Sequence, residues 1–292
     1  MSFLALSLVI TGALCHASWN YFAKLASGGK AFVWLYGLVS SFLVLPMLVG
    51  MFLLTEVNIQ INWPPLLITA LASGVLHILY SLSLQQGYQS SDMSVVYPIA
   101  RGAGPLFSVI GAVCLLNERP SVIGWVGVAI IFIGILSVSG VRRLLRKHND
   151  PRLIKGVYWG IITGLFIASY TLLDGWVVKI IGLNVLLFYS CCLWLRTFML
   201  APFVLRDMQA LKHQWEINWK YVLLVGILSP AAYLLTLYAM TLAPLSYVAP
   251  ARELAMLFGA LLAVGFLHEK DAKSRLLGTL CIALGVGLLS FA

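Results

Sequence analysis

Val95–Ser121, VVYPIARGAGPLFSVIGAVCLLNERPS, and Val248–Ala272, VAPARELAMLFGALLAVGFLHEKDA, are two versions of one segment. A two-residue gap falls before the arginines. Beyond it Arg101, Leu106, Phe107 and Glu118 align with Arg252, Leu257, Phe258 and Glu269, each 151 positions later. Apolar helices resemble one another by chance, but an arginine and a glutamate repeated at one spacing need another cause. Further out, YSLSLQ from Tyr80 matches YLLTLY from Tyr233, and ITG recurs at Ile10–Gly12 and Ile162–Gly164. The last apolar runs also end alike, GILS at Gly134–Ser137 and GLLS at Gly287–Ser290. The chain reads as a duplication: a first repeat over 1–140, a basic linker over 141–154 and a second repeat over 155–292.

Composition sets the solvent. Of 292 residues, 61% are hydrophobic and 10% charged, with a mean hydropathy of +0.96, whereas soluble domains carry about 25% charged residues. A transmembrane helix needs about 20 apolar residues, and ten runs of that kind fit: 3–24, 31–54, 64–87, 92–116, 121–140, 155–178, 184–205, 219–242, 244–267 and 272–291. They lack the alternation of a membrane barrel. The fold class is thus an all-α membrane protein, ten transmembrane helices in two five-helix repeats around a central cavity. An odd number of spans per repeat sends the second copy through the bilayer upside down, the inverted arrangement common among secondary transporters.

The net charge of +9 does not point to nucleic acid, because the basic residues lie between apolar runs, where they set topology and meet lipid headgroups. Of the 19 Lys and Arg, Arg119 and Lys179 fall on the side of the chain ends and Arg101, Arg196 and Arg252 fall inside spans. The rest fall on the opposite side, so the loop bias puts both ends outside the cell. The N-terminal run lacks the basic start of a signal peptide and is read as a retained first span. All five cysteines, Cys15, Cys114, Cys191, Cys192 and Cys281, sit in spans with no CxxC spacing. No disulfide framework and no metal or cofactor site is expected from them, and no GxxxxGK[ST] loop for ATP is present.

Ionisable groups at membrane depth are costly and mark functional sites. The candidates are Arg101, Asp174, Arg196, Arg252 and Glu253. Two acids against three arginines leave one guanidinium over, and its forked donors match a planar oxyanion. Arg101 and Arg252 are therefore candidate substrate-binding residues, each near prolines (Pro98, Pro105, Pro250) that free backbone carbonyls. Tyr97 lies one turn before Arg101. His16 and Asn20 share a face of the first span, with Trp19 beside them, and His77 and Tyr80 pair similarly in the third. Glu253, Asp174 and Arg196 are expected to balance charge or carry a proton. Glu118 and Glu269 end matching spans as gating charges or as turns before helices capped by Ser121 and Ser274. His16 and His77 lack adjacent acids, which argues against an enzyme; a non-transporting membrane subunit is the other rival class.

Ten spans in two halves, Trp19-Asn20 near the end of the first, and Glu118-Arg119 and Glu269-Lys270 after the fourth and ninth resemble the drug/metabolite transporter superfamily, EamA type. HASWN (His16–Asn20) with DMSVVYPIARG (Asp92–Gly102) further resembles a branch associated with phosphonate utilisation. The resemblance implies a helix basket around a central cavity, walled partly by spans four and nine, in the bacterial inner membrane. It also implies cytoplasmic chain ends, against the loop bias. The expected function is secondary transport of a small anionic or zwitterionic metabolite, such as an amino acid or phosphonate, with export of amphipathic or cationic drugs as the alternative. The expected partners are that solute and the lipid bilayer, with a homodimer left open.

Overall fold

The computed structural model describes residues 1–26, 29–54, 61–91, 93–138, 151–258 and 272–292. They are helical, with no strand among them: α1 (Phe3–Ala26), α2 (Lys30–Leu54), α3 (Trp63–Ser90), α4 (Met93–Leu115), α5 (Val122–Val138), α6 (Pro151–Trp176), α7 (Val185–Val204), α8 (Met208–Leu242), α9 (Leu245–Ala251) and α10 (Ala272–Ser290). Among the described residues seven helices are long and apolar enough to cross a membrane, and α5 and α10 carry shorter apolar runs. Phe42, Ile68, Ile133, Phe198 and Leu280 are more than half exposed around the outside, as helices facing hydrocarbon require.

Local sequence sets the boundaries. Pro64 and Pro65 occupy the first turn of α3, where a missing N–H costs nothing. α6 widens into a π-helical turn at Val177–Ile181, and Gly182 ends it at φ 75°, a left-handed conformation glycine takes without strain. Asn184 then caps α7, its side chain accepting from the N–H groups of Leu186 and Leu187 at 3.0 and 3.1 Å.

Two spans differ from the sequence expectation. The eighth begins at Met208, well before 219, because Asp207 caps it through the Ala210 N–H at 2.9 Å. The polar stretch that follows is helix-forming but invisible to a search for apolar runs. At about 1.5 Å per residue its 35 residues run about 52 Å, more than a ~30 Å hydrocarbon core. The ninth span is interrupted: α9 stops at Ala251, Arg252–Glu253 form a turn, and helix resumes over 254–258. Pro250, in the last turn of α9, lacks an N–H and so takes one bond out of the helical ladder just before the break. The backbone tightens there to three-residue bonds, Glu253 N–H to the Pro250 carbonyl at 3.0 Å and Met256 N–H to the Glu253 carbonyl at 2.8 Å. α4 carries Pro98 and Pro105 yet runs unbroken.

The packing repeats with the halves exchanged. α1 packs on α8 and its counterpart α6 on α3; α2 packs on α8 and its counterpart α7 on α3. α5 meets its own counterpart α10 at glycines: a Cβ on Gly134 would lie 2.6 Å from the Gly278 carbonyl, and one on Gly285 2.7 Å from that of Gly127. Small residues let membrane helices approach this closely. The Met1 ammonium donates to the Leu289 and Ser290 carbonyls at 3.0 and 3.3 Å, so both chain ends lie on one face.

Candidate functional site

Arg101 of α4 is the hub between the halves. Its guanidinium lies 3.5 Å from Glu253 Oε1, with side chains 15% and 5% exposed, and 3.3 Å from His16 Nε2 of α1. It also sits over the Tyr97 ring, 5.8 Å from the centroid. His16 in turn meets Trp19 edge to face at 5.1 Å. A small pocket opens here, lined by Gly12, Ala13, His16, Arg101, Thr236 and Arg252. Its floor is close-packed because Gly12 carries no side chain: a Cβ there would lie 3.2 Å from the Ala232 carbonyl of α8.

Charge in this pocket is not balanced. Arg101 has Glu253, but among the described residues no carboxylate lies within ion-pair distance of Arg252. Arg252 instead faces the ring of Tyr233 at 5.8 Å. Two polar atoms of the Arg101–Glu253 pair are buried without a hydrogen-bond partner among the described residues, the Arg101 Nε donor and the Glu253 Oε2 acceptor. Buried polar atoms of this kind are rare, and each calls for an explanation.

Tyr233 joins the pocket to a second cluster. Its hydroxyl donates to Asp174 Oδ2 of α6. His77 stacks on Tyr170 at 3.9 Å and meets Tyr233 edge on at 5.7 Å, and its Nδ1 lies 2.9 Å from the Ser73 carbonyl. Tyr80 meets Tyr170 edge on at 5.9 Å, and Tyr189 of α7 packs at 5.4 Å from Tyr233. Asp174 is 1% exposed.

The structure thus gathers Arg101, Arg252 and His16 at the pocket, with Glu253 and Tyr97 against Arg101, and His77, Tyr80 and Asp174 around Tyr170 and Tyr233. Arg196 lies beside Gly74 of α3, its Cγ 3.6 Å from where a Cβ would stand. Trp19 rests against the apolar packing of α2 and α8. Asn20 turns away, its amide donating to the His16 carbonyl at 2.8 Å. Tyr170 and Thr236 are not among the candidates of the sequence reading, and Tyr233 enters it through the repeat YLLTLY. The repeat held the signal for two of them, since Tyr233 and Thr236 align with Tyr80 and Ser83; Tyr170 carried none.

On the face of the chain ends, Glu118 clasps the second repeat. Oε1 accepts from the Leu245 N–H at 2.8 Å and Lys179 Nζ at 3.0 Å, and Oε2 accepts from the Ser246 N–H at 2.9 Å. Lys179 also donates to the Ala243 carbonyl at 3.2 Å, and the Ser121 N–H donates to the Tyr247 hydroxyl at 2.9 Å. Ser121 caps α5 through the Gly124 N–H at 3.1 Å. Burial alone would lift the Glu118 carboxyl, but the Ser246 and Leu245 N–H bonds and Lys179 hold it below the usual carboxylate range. Glu269 and Ser274, the sequence counterparts, fall outside the residues and side chains described.

Among the described residues no three His, Cys, Asp or Glu gather as metal ligands. No curated protein matches the chain. A solved protein, described only as a crystal structure of a protein, superposes with a TM-score of 0.76 at 14% identity, covering 98% of this chain and 96% of that one; at that identity it speaks to fold alone. The model of the EamA-like transporter family matches residues 3–140 and 154–291. Two matched repeats with apolar helices throughout make this a multi-pass membrane protein, and the chain belongs to the EamA-like transporter family of the drug/metabolite transporter superfamily.

Proposed function

We propose that this protein is a secondary transporter of a small zwitterionic metabolite, an amino acid or aminophosphonate, working by alternating access in a bacterial inner membrane. The carrying observation is the pocket's charge arrangement. Arg252 is a cation with no carboxylate partner among the described residues, while Glu253 keeps a buried acceptor without a partner one residue away. A carboxylate or phosphonate on Arg252, reinforced by the Arg101 Nε donor, and an ammonium on Glu253 Oε2 would satisfy all three. His16 and Tyr97 hold Arg101 in place, and inverted repeats give one site two routes of access.

The test is binding to the purified protein of glycine, aminomethylphosphonate, methylphosphonate and a lipophilic cation. Arg252→Ala should weaken the two zwitterions at least tenfold, the scale of one charge-assisted bond, and leave the cation unaffected. Unchanged zwitterion binding would overturn the reading, and tighter cation binding would favour a drug exporter.

A further inference from the structure

Asp174 lies outside the pocket, yet its surroundings are unusual for a carboxylate. It is 1% exposed, Tyr233 donates to Oδ2, and Oδ1 has no hydrogen-bond partner among the described residues. One turn earlier on the same helix, the Thr171 hydroxyl is buried and equally without a partner. A buried carboxylate with a bare oxygen is poorly stabilised as an anion, whereas a proton on that oxygen removes the charge.

The groups around it come from several helices. α8 supplies Tyr233, α7 supplies Tyr189, Cys192 and Arg196, and α3 supplies Ser73, whose hydroxyl also approaches the carboxyl, with His77 against Tyr233. Arg252, 5.8 Å over the Tyr233 ring, also acts on the acid. On the α4 side, α6 meets small residues, Ala103 and Gly104 against Gly164 and Gly111 against Leu172. Both arginines are within electrostatic reach, but among the described residues neither forms an ion pair with Asp174. Tyr233 is the only one of these groups with both contacts, its hydroxyl on the acid and its ring face on the pocket cation.

We infer that Asp174 is a proton-binding site linked through Tyr233 to Arg252, so that a proton and the substrate's anionic group are carried together. The proton goes from water onto Oδ1 while the Tyr233 proton stays on its own oxygen, and the reverse step returns it to water. With Asp174 ionised, its negative charge offsets Arg252 and repels an incoming oxyanion. With Asp174 neutral, Arg252 presents its whole charge to the pocket. Linkage is reciprocal, so the bound anion must hold the proton on Asp174 more tightly by the same factor. This rests on the zwitterion reading above.

Two measurements on the full-length protein in detergent test it. Infrared spectra across a pH titration should show a protonated carboxyl band that is lost in Asp174→Asn and shifted in Tyr233→Phe; this needs no ligand. Aminomethylphosphonate binding should tighten about tenfold from alkaline to acid pH, within the usual range of coupling between sites. Asp174→Asn should fix the affinity near its acid value, and Tyr233→Phe, which keeps the ring but loses the hydroxyl, should shrink the pH effect. No Asp174 band, or an Asp174→Asn protein that keeps the wild-type pH dependence, overturns the proton site. A titrating band with no aminomethylphosphonate binding at any pH overturns instead the anion site, and the coupling with it.

Discussion

Glu253 is the residue on which the pocket's balance turns, because it neutralises Arg101 from the other half. Glu253→Gln keeps the shape and removes the charge, leaving a buried guanidinium unmatched. Breaking such a pair costs about 3 kcal/mol, and thermal denaturation in detergent should show a lower midpoint. The same change should exchange selectivity: methylphosphonate, a simple anion, binds more tightly and glycine more weakly. The arginines were legible in sequence because charge inside an apolar run is conspicuous. Tyr97, one turn from Arg101, was legible too, but contacts between distant helices were not, since His16 reaches Arg101 across 85 positions and Tyr233 reaches Asp174 across 59. Asn20 shares a helical face with His16, but face-sharing does not decide between a cavity and a backbone carbonyl.

At the scale of elements, the Glu118 clasp binds the end of α4 to the start of α9 and the end of α6. The carboxyl sits below its ordinary value of about 4.3, so its contribution is complete above that pH and is lost as acid carries the protein down through the lowered value. Glu118→Gln should cost about 2 kcal/mol at neutral pH, as expected for bonds to a charged group. Its stability should also fall less than the wild type's on acidification, read as the midpoint of thermal unfolding against pH. If alternate access requires this face to open, the variant should also transport faster in liposomes. Sequence placed helix interiors well, because a run of apolar residues leaves few options in a bilayer. It misplaced the start of α8, whose first turns are polar, and missed the break in the ninth span. The prolines alone could not forecast that break, since α4 carries two and stays continuous.

For the whole molecule, inverted symmetry was legible from the repeated arginine and glutamate, and the exchanged helix pairings express it in packing. Charge is the guide to orientation. Lys24, Lys30, Arg152, Lys155, Arg206 and Lys212 gather at helix ends on one face, whereas the face of the chain ends has Arg119 and the clasped Lys179. By the positive-inside rule we propose that the first face is cytoplasmic and both ends lie outside, opposite to the orientation the family resemblance implies. A single cysteine at Ala292, in a background without the native cysteines, should react with a membrane-impermeant maleimide in intact cells. Protection until lysis would place the ends inside.

The interrupted ninth span has a mechanical corollary. Arg252 and Glu253 are consecutive residues on one non-helical turn, and they point at different helices, Tyr233 on α8 and Arg101 on α4. Any swivel of that turn displaces the spare cation and the counter-ion of Arg101 together. The two halves therefore cannot re-pair their charges independently. On the proposed transport reading, solute release and the parting of the ionic tie between repeats would be one event at a single two-residue joint.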